Sequence, residues 1–188
     1  MRLLTGDDPP KATRCLELFQ RARRGEDGFR YALIRGVLYR MSPSMARHGR
    51  IGSAIDWHLR GFVAARGLGA VYNQSGFILE RDPDVLLEPD LAFVQASRVP
   101  ADEDAYPPLA PELVVEVTSP SQTGPSIEEK VALYLAAGVR LIWAVDPAKR
   151  TVHVRRADGT DLLLGERDTL LGEDVLSGFQ LVVAELIG

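Results

Sequence analysis

The chain has 188 residues, 46% hydrophobic and 26% charged, with a net charge of −4, proportions that predict one globular domain over 1–188 with a full core. No run approaches the ~18 apolar residues of a membrane span and residues 1–40 hold no apolar signal core, while a lone cysteine, Cys15, excludes internal disulfides and multi-cysteine zinc sites; a cytoplasmic setting without membrane contact is expected. Residues 1–66 sum to +7 and residues 67–188 to −11, a pattern that suits either scattered solubilising arginines or a phosphate-facing flank beside a metal-gathering centre.

Residues 13–23 predict a short amphipathic helix within an N-terminal helical extension over 1–28. Phe29–Ile34 and Val37–Met41, joined by Arg35-Gly36, predict a β-hairpin. Ser42-Pro43-Ser44 offers helix-starting chemistry for a helix over 45–66. Its stripe of Ile51, Ile55, Leu59, Phe62 and Val63 repeats at helical period, and Gly67 stops it. Strands are expected at 70–79 and 89–95, on either side of an Asp82-Pro83-Asp84 turn. The proline-containing stretch 97–110 predicts a surface loop. A buried strand over 112–118 precedes a helix over 125–137 that Gly138 ends. Strands at 140–145 and 151–156 flank the Asp146-Pro147 turn, with Trp143 in the core and Arg155 and Arg156 facing solvent. A weak hairpin near 162–164 and an edge strand or packing segment at 179–186 complete the chain. The order predicts an α/β (α+β) fold, a mixed central sheet flanked by helices.

Glu116 carries the chemical signal. Its neighbours Leu113, Val114, Val115 and Val117 are aliphatic, so both faces of this strand are covered, and a lone carboxylate there needs a cation or donor beside it. Strand alternation puts Asp90, Ala92 and Val94 on one face of their strand and Val114, Glu116 and Thr118 on one face of theirs. In suitable register the two acids meet at one end of the sheet. Two hard carboxylates, with the backbone carbonyl of Val117 as a further ligand, suit Mg²⁺, which keeps several waters when few side chains hold it. Such an ion can activate water, shield a phosphorane and assist the leaving oxygen, which points to phosphodiester hydrolysis. Lys130 lies about 60° from the centre of its helix's core stripe at ~100° per residue, within reach of the strand end bearing Glu116; a solvated helix lysine is the bland alternative. His48 falls inside the apolar stripe of its own helix, as site or substrate support or as a hydrogen-bonded core histidine.

Several motifs now read together. Ser42-Pro43-Ser44, His48-Gly49-Arg50, Glu88-Pro89-Asp90-Leu91-Ala92, Glu112 through Ser121, Lys130 with Tyr134 through Val139, and Ile142-Trp143-Ala144-Val145-Asp146-Pro147 resemble the Uma-two family of restriction-endonuclease-like proteins. The resemblance runs from about Tyr31 to Leu186. It implies the PD-(D/E)XK nuclease fold, here a restriction-endonuclease-like core with an added N-terminal helix and hairpin, acting on DNA with Mg²⁺ or Mn²⁺. By that pattern Asp90 is the first acid and Glu116 the second. Thr118 stands where the usual lysine would be, and Lys130 of the following helix takes that role. Family members carry acids in a Tyr-Glu-Leu-Ile-Asp-Gly-Glu hairpin, where this chain has Tyr31-Ala32-Leu33-Ile34-Arg35-Gly36-Val37. The readings are therefore two. One is a metal-dependent DNA endonuclease, with Asp90, Glu116 and Lys130 catalytic and Asp90, Glu116 and Val117 on the metal, for which a homodimer is the simplest way to cut two strands. The other is a catalytically inactive nuclease-fold module that binds nucleic acid or a protein partner.

Overall fold

A computed structural model describes residues 2–3, 17, 19–20, 29–43, 45–102, 104–119 and 124–188. Among these, β8 (Leu113–Val117) lies inside a six-stranded sheet with β7 (Leu91–Gln95), β4 (Gly69–Asn73), β9 (Leu141–Asp146), β10 (Thr151–Arg156) and β11 (Asp161–Leu164), in the order β11-β10-β9-β8-β7-β4. Only β8 and β9 run parallel, which requires a crossover. Helix α2 (Ile127–Ala136) supplies it. A second, antiparallel sheet joins β1 (Arg2–Leu3), β2 (Arg30–Ile34), β3 (Val37–Met41), β5 (Phe77–Glu80) and β6 (Val85–Leu87) in the order β1-β3-β2-β6-β5. A ribbon of β12 (Thr169–Leu171) and β13 (Gln180–Val182) and the short helix α3 (Val183–Ile187) close the chain.

The large sheet has two differently covered faces, and the alternation of its strands determines which residue meets which cover. Leu113, Val115 and Val117 of β8, with Leu141, Trp143 and Val145 of β9, pack under α1 (Ala46–Arg66) through Ile51, Ile55, Leu59 and Val63. Val114 and Ile142 point the other way, toward Val131 and Tyr134 of α2 and toward Ala32, Met41, Val85 and Leu87 of the second sheet. Trp143 is wholly buried and stacks on Phe179 with ring centroids 5.5 Å apart.

The expected hairpin forms at Arg35-Gly36, both residues having positive φ (47° and 81°), the backbone whose twist matches the flanking strands. Gly67 ends α1 in the left-handed conformation, as a C-terminal glycine should. Several expectations need correcting. Beside the expected mixed sheet lie a second, antiparallel sheet and a two-stranded ribbon. The strand expected at 70–79 breaks between Asn73 and Phe77, where Gln74 turns at φ 47°, so β4 enters the large sheet and β5 the small one. Val85–Leu87, where no strand was expected, is a strand. Met45, not a residue of Ser42-Pro43-Ser44, is the N-cap of α1, and no side chain caps it. The hairpin expected near 162–164 forms between β10 and β11, and it extends the edge of the large sheet. The segment 179–186 is the strand β13 followed by α3. Arg155 and Arg156 are largely covered, pairing with Glu128 at 3.0 Å and Glu173 at 2.6 Å. Of the helix expected at 13–23, Glu17, Phe19 and Gln20 are described and helical, and the rest lies outside the described residues. Phe19 is fully buried, edge-on to Tyr106 at 5.5 Å. Among the described residues no helix is long and apolar enough to cross a membrane.

Candidate metal and catalytic site

The antiparallel pairing of β7 with β8 sets Leu91 opposite Val115; one step further in that register, Asp90 comes opposite Glu116. Both are buried, with 4% and 2% of their surface exposed. The parity of β8 sends Glu116 to the same face as Val114, the face that α2 covers.

Asp90 is held from three sides. Its Oδ1 accepts a hydrogen bond from Nη1 of Arg30 at 2.6 Å. Its Oδ2 accepts the Val117 N–H at 2.7 Å and lies 3.0 Å from Nε2 of His48. Burial alone would raise this carboxyl, but the His48 hydrogen bond, the Arg30 and His48 charges and the Val117 amide together lower it to about 2. The ionised carboxylate can only accept, so Nε2 of His48 carries the proton facing it. Arg30 opens β2 and its second terminal nitrogen donates to the Glu88 carbonyl at 2.6 Å. Burial disfavours its charge, yet the carboxylates of Asp90 and then Glu116 outweigh that and push its pKa up. The buried Glu88 side chain adds to the same field.

Glu116 is held by one helix. The box Ser126–Glu129 caps α2 at both atoms: Ser126 Oγ accepts the Glu129 N–H at 3.2 Å and Glu129 accepts the Ser126 N–H at 2.8 Å. With Glu129 committed to the cap and Glu128 reaching out to Arg155, Lys130 is the charged residue of this turn that faces inward, 1% exposed. Its Nζ donates to Glu116 Oε2 at 2.8 Å. Four residues on, and so on the same helix face, the Tyr134 hydroxyl donates to Oε1 at 2.8 Å. Burial and then the Glu116 charge raise the Tyr134 hydroxyl well above its ordinary value, so it stays a donor.

The residues singled out from sequence thus lie together: Asp90, Glu116, Lys130 and His48 share one buried cluster, with the backbone of Val117 against Asp90. Lys130 is deeper than the stripe border suggested. Sequence reasoning missed Arg30, Tyr134 and Glu88. Tyr134 lies with Ile127 and Val131 in the apolar stripe of its helix, and the signal for its role was its hydroxyl, which needs a partner once the ring is buried. Arg30 had only the weak signal of an arginine opening an apolar strand.

The donor set fits a hard divalent ion in kind. A carboxylate offers about four lone-pair positions; Asp90 has three donors on it and Glu116 two, so each retains acceptor capacity. Among the described residues no three His, Cys, Asp or Glu side chains gather as a complete metal shell. Two carboxylates with a backbone carbonyl, the remainder left to water and substrate, is the arrangement Mg²⁺ accepts.

Among solved structures, the chain is similar to the crystal structure described as a putative nuclease belonging to DUF820 from Anabaena variabilis ATCC 29413. The TM-score is 0.75 at 20% sequence identity, over 84% of this chain and 89% of that one, a likeness that establishes a shared nuclease-like α+β fold. No curated protein matches the chain. The family model Uma2, described as "Putative restriction endonuclease", matches residues 16–184. With that model matched over nearly its whole length, the chain belongs to the Uma2 family.

Proposed function

We propose that this protein is a divalent-metal-dependent DNA endonuclease whose working groups are Asp90, Glu116 and Lys130. The observation that carries the reading is the meeting of two buried acids from facing strand positions with a buried lysine at one of them. Asp90 and Glu116, with the Val117 carbonyl, would hold Mg²⁺ or Mn²⁺. Once bound, such an ion would supply Lewis acidity toward a phosphoryl oxygen and would lower the pKa of a bound water. The protein's own groups prepare the place for it. His48 and the Val117 amide fix the Asp90 carboxylate and keep it ionised, while Tyr134 fixes the Glu116 oxygen that Lys130 does not touch. Lys130 contributes a fixed positive charge where negative charge grows on a phosphate in flight, which is worth more in a dry site than in water. Pre-set geometry of this kind removes reorganisation at the moment of reaction.

Supercoiled-plasmid nicking in Mn²⁺ tests the reading, comparing wild type with Asp90→Ala. Nicking by the wild type and none by the variant supports it; equal nicking by both refutes it. A second reading, a nuclease-fold module that binds nucleic acid without turnover, is favoured by one observation. All four oxygens of Asp90 and Glu116 already have protein donors, and the hairpin positions Ala32, Arg35 and Val37 bring no further acid. Calorimetric titration with Mg²⁺ separates the two, because a module without turnover has no need of millimolar metal affinity.

A further inference from the structure

We infer that Arg30 is the resident cation of this carboxylate cluster, and that a divalent ion enters by displacing its guanidinium from Asp90. The inference rests on the proposed metal site and concerns what governs access to it.

Three observations converge. The first is which oxygen is left. Oδ2 of Asp90 already receives the Val117 amide and the His48 ring nitrogen, which fills its two lone pairs. An ion coordinated by Asp90 must therefore take Oδ1, the oxygen on which Nη1 of Arg30 sits at 2.6 Å. The second is charge. Glu88, Asp90 and Glu116 are three buried acids, and Arg30 and Lys130 answer them with two cations. Exchange of Arg30 for a divalent ion adds one positive charge where these acids outnumber the two cations, whereas addition of the ion beside Arg30 sets two cations against one oxygen. The third is freedom to leave. The Lys130 side chain is 2% exposed and closed in against Glu116. The Arg30 side chain is 15% exposed, and among the described residues its Nε has no hydrogen-bond partner and its two terminal nitrogens make its hydrogen bonds. Of the two cations, Arg30 is the one able to swing away. Such a site pays for its metal in the currency of a conformational equilibrium: apparent affinity falls by the fraction of molecules with Arg30 withdrawn.

The test is isothermal titration calorimetry with Mn²⁺ on wild type, Asp90→Asn, Arg30→Gln and Arg30→Gln/Asp90→Asn, with thermal melts of each, with and without Mn²⁺. Minor conformations populated at about 0.1–10% predict that Arg30→Gln binds Mn²⁺ at least about tenfold more tightly than wild type. The melts should show a larger metal-induced rise for Arg30→Gln, and the double variant should lose the gain. Equal or weaker binding by Arg30→Gln, with wild-type binding that Asp90→Asn removes, overturns the inference and leaves the metal site standing. Absence of Mn²⁺ binding in both wild type and Arg30→Gln overturns both. Should Arg30→Gln not fold, the wild type answers directly through ¹⁵N-arginine side-chain spectra titrated with Mg²⁺. A guanidinium signal that is hindered in the free protein and narrows on saturation supports displacement; a signal unchanged at saturation refutes it.

Discussion

Replacing Lys130 with methionine keeps the side chain's length and volume while deleting the ammonium that faces Glu116. The pair is 2.8 Å apart with both side chains 2% exposed, so water cannot take over the lost contact. Two unit charges at that distance attract by about 6 kcal/mol at an effective dielectric of about 20, part of which is offset by the desolvation both groups suffer. Removing one partner leaves Glu116 buried with only Tyr134 on it, a loss of about 3–5 kcal/mol. For a chain of this size each kcal/mol moves the melting temperature by roughly 2–4 °C, so Lys130→Met should melt roughly 10 °C lower. Adding Glu116→Leu removes the stranded charge as well, and the double variant should recover most of the loss. Urea unfolding followed by tryptophan fluorescence measures this cycle, because Trp143 is wholly buried while Trp57 is 78% exposed. A wild-type midpoint for Lys130→Met, or no recovery in the double variant, would refute the claim that this ion pair compensates the buried acid.

Tyr134→Phe should cost about 1.5–3 kcal/mol, the range for a hydrogen bond to a charged group, and the same urea titration measures it. Ser126→Ala should cost about 1 kcal/mol through the lost cap. If α2 fixes Lys130 as described, the Mn²⁺ dependence of nicking should keep its midpoint in that variant while the rate falls. Asp90 has its folded pKa at about 2, below the ordinary 3.8. Its contribution to stability is therefore complete above the unfolded value and disappears as pH falls from near 4 toward 2. The shift corresponds to about 2 kcal/mol. Asp90→Asn should flatten the acid limb of the unfolding free energy by that amount, and an unchanged limb would show that the carboxylate is not held as described.

Much of this arrangement was legible because burial and charge conflict openly in the sequence. A glutamate inside Leu113–Val117 demands compensation wherever the strand is placed, and Lys130, on the next helix, is the nearest Lys or Arg in the sequence. Turn chemistry was equally plain at Arg35-Gly36 and Gly67. What failed was partition between sheets. Phe77–Glu80 and Val85–Leu87 are apolar enough for any sheet, and only tertiary pairing decides that they join β2 and not β4. Arg30 was hidden for a related reason: its partners Glu88 and Asp90 lie 58 and 60 residues away, and no local periodicity encodes a contact of that range. Ser42-Pro43-Ser44 misled because proline and serine permit a helix start without dictating which residue takes it.

The two halves of the cluster differ in how far the chain must travel to make them. Glu116, Lys130 and Tyr134 are joined across 14 and 18 residues within one strand–helix–strand unit, whereas Asp90 reaches His48 and Arg30 across 42 and 60. Closing the longer loops is entropically dearer by about 0.6 kcal/mol per doubling, and the shorter half needs nothing from the hairpin. Hydrogen exchange should accordingly find β8 and α2 protected in partly opened molecules that have already released the Arg30 strand, giving the protein one half-site that outlasts the other.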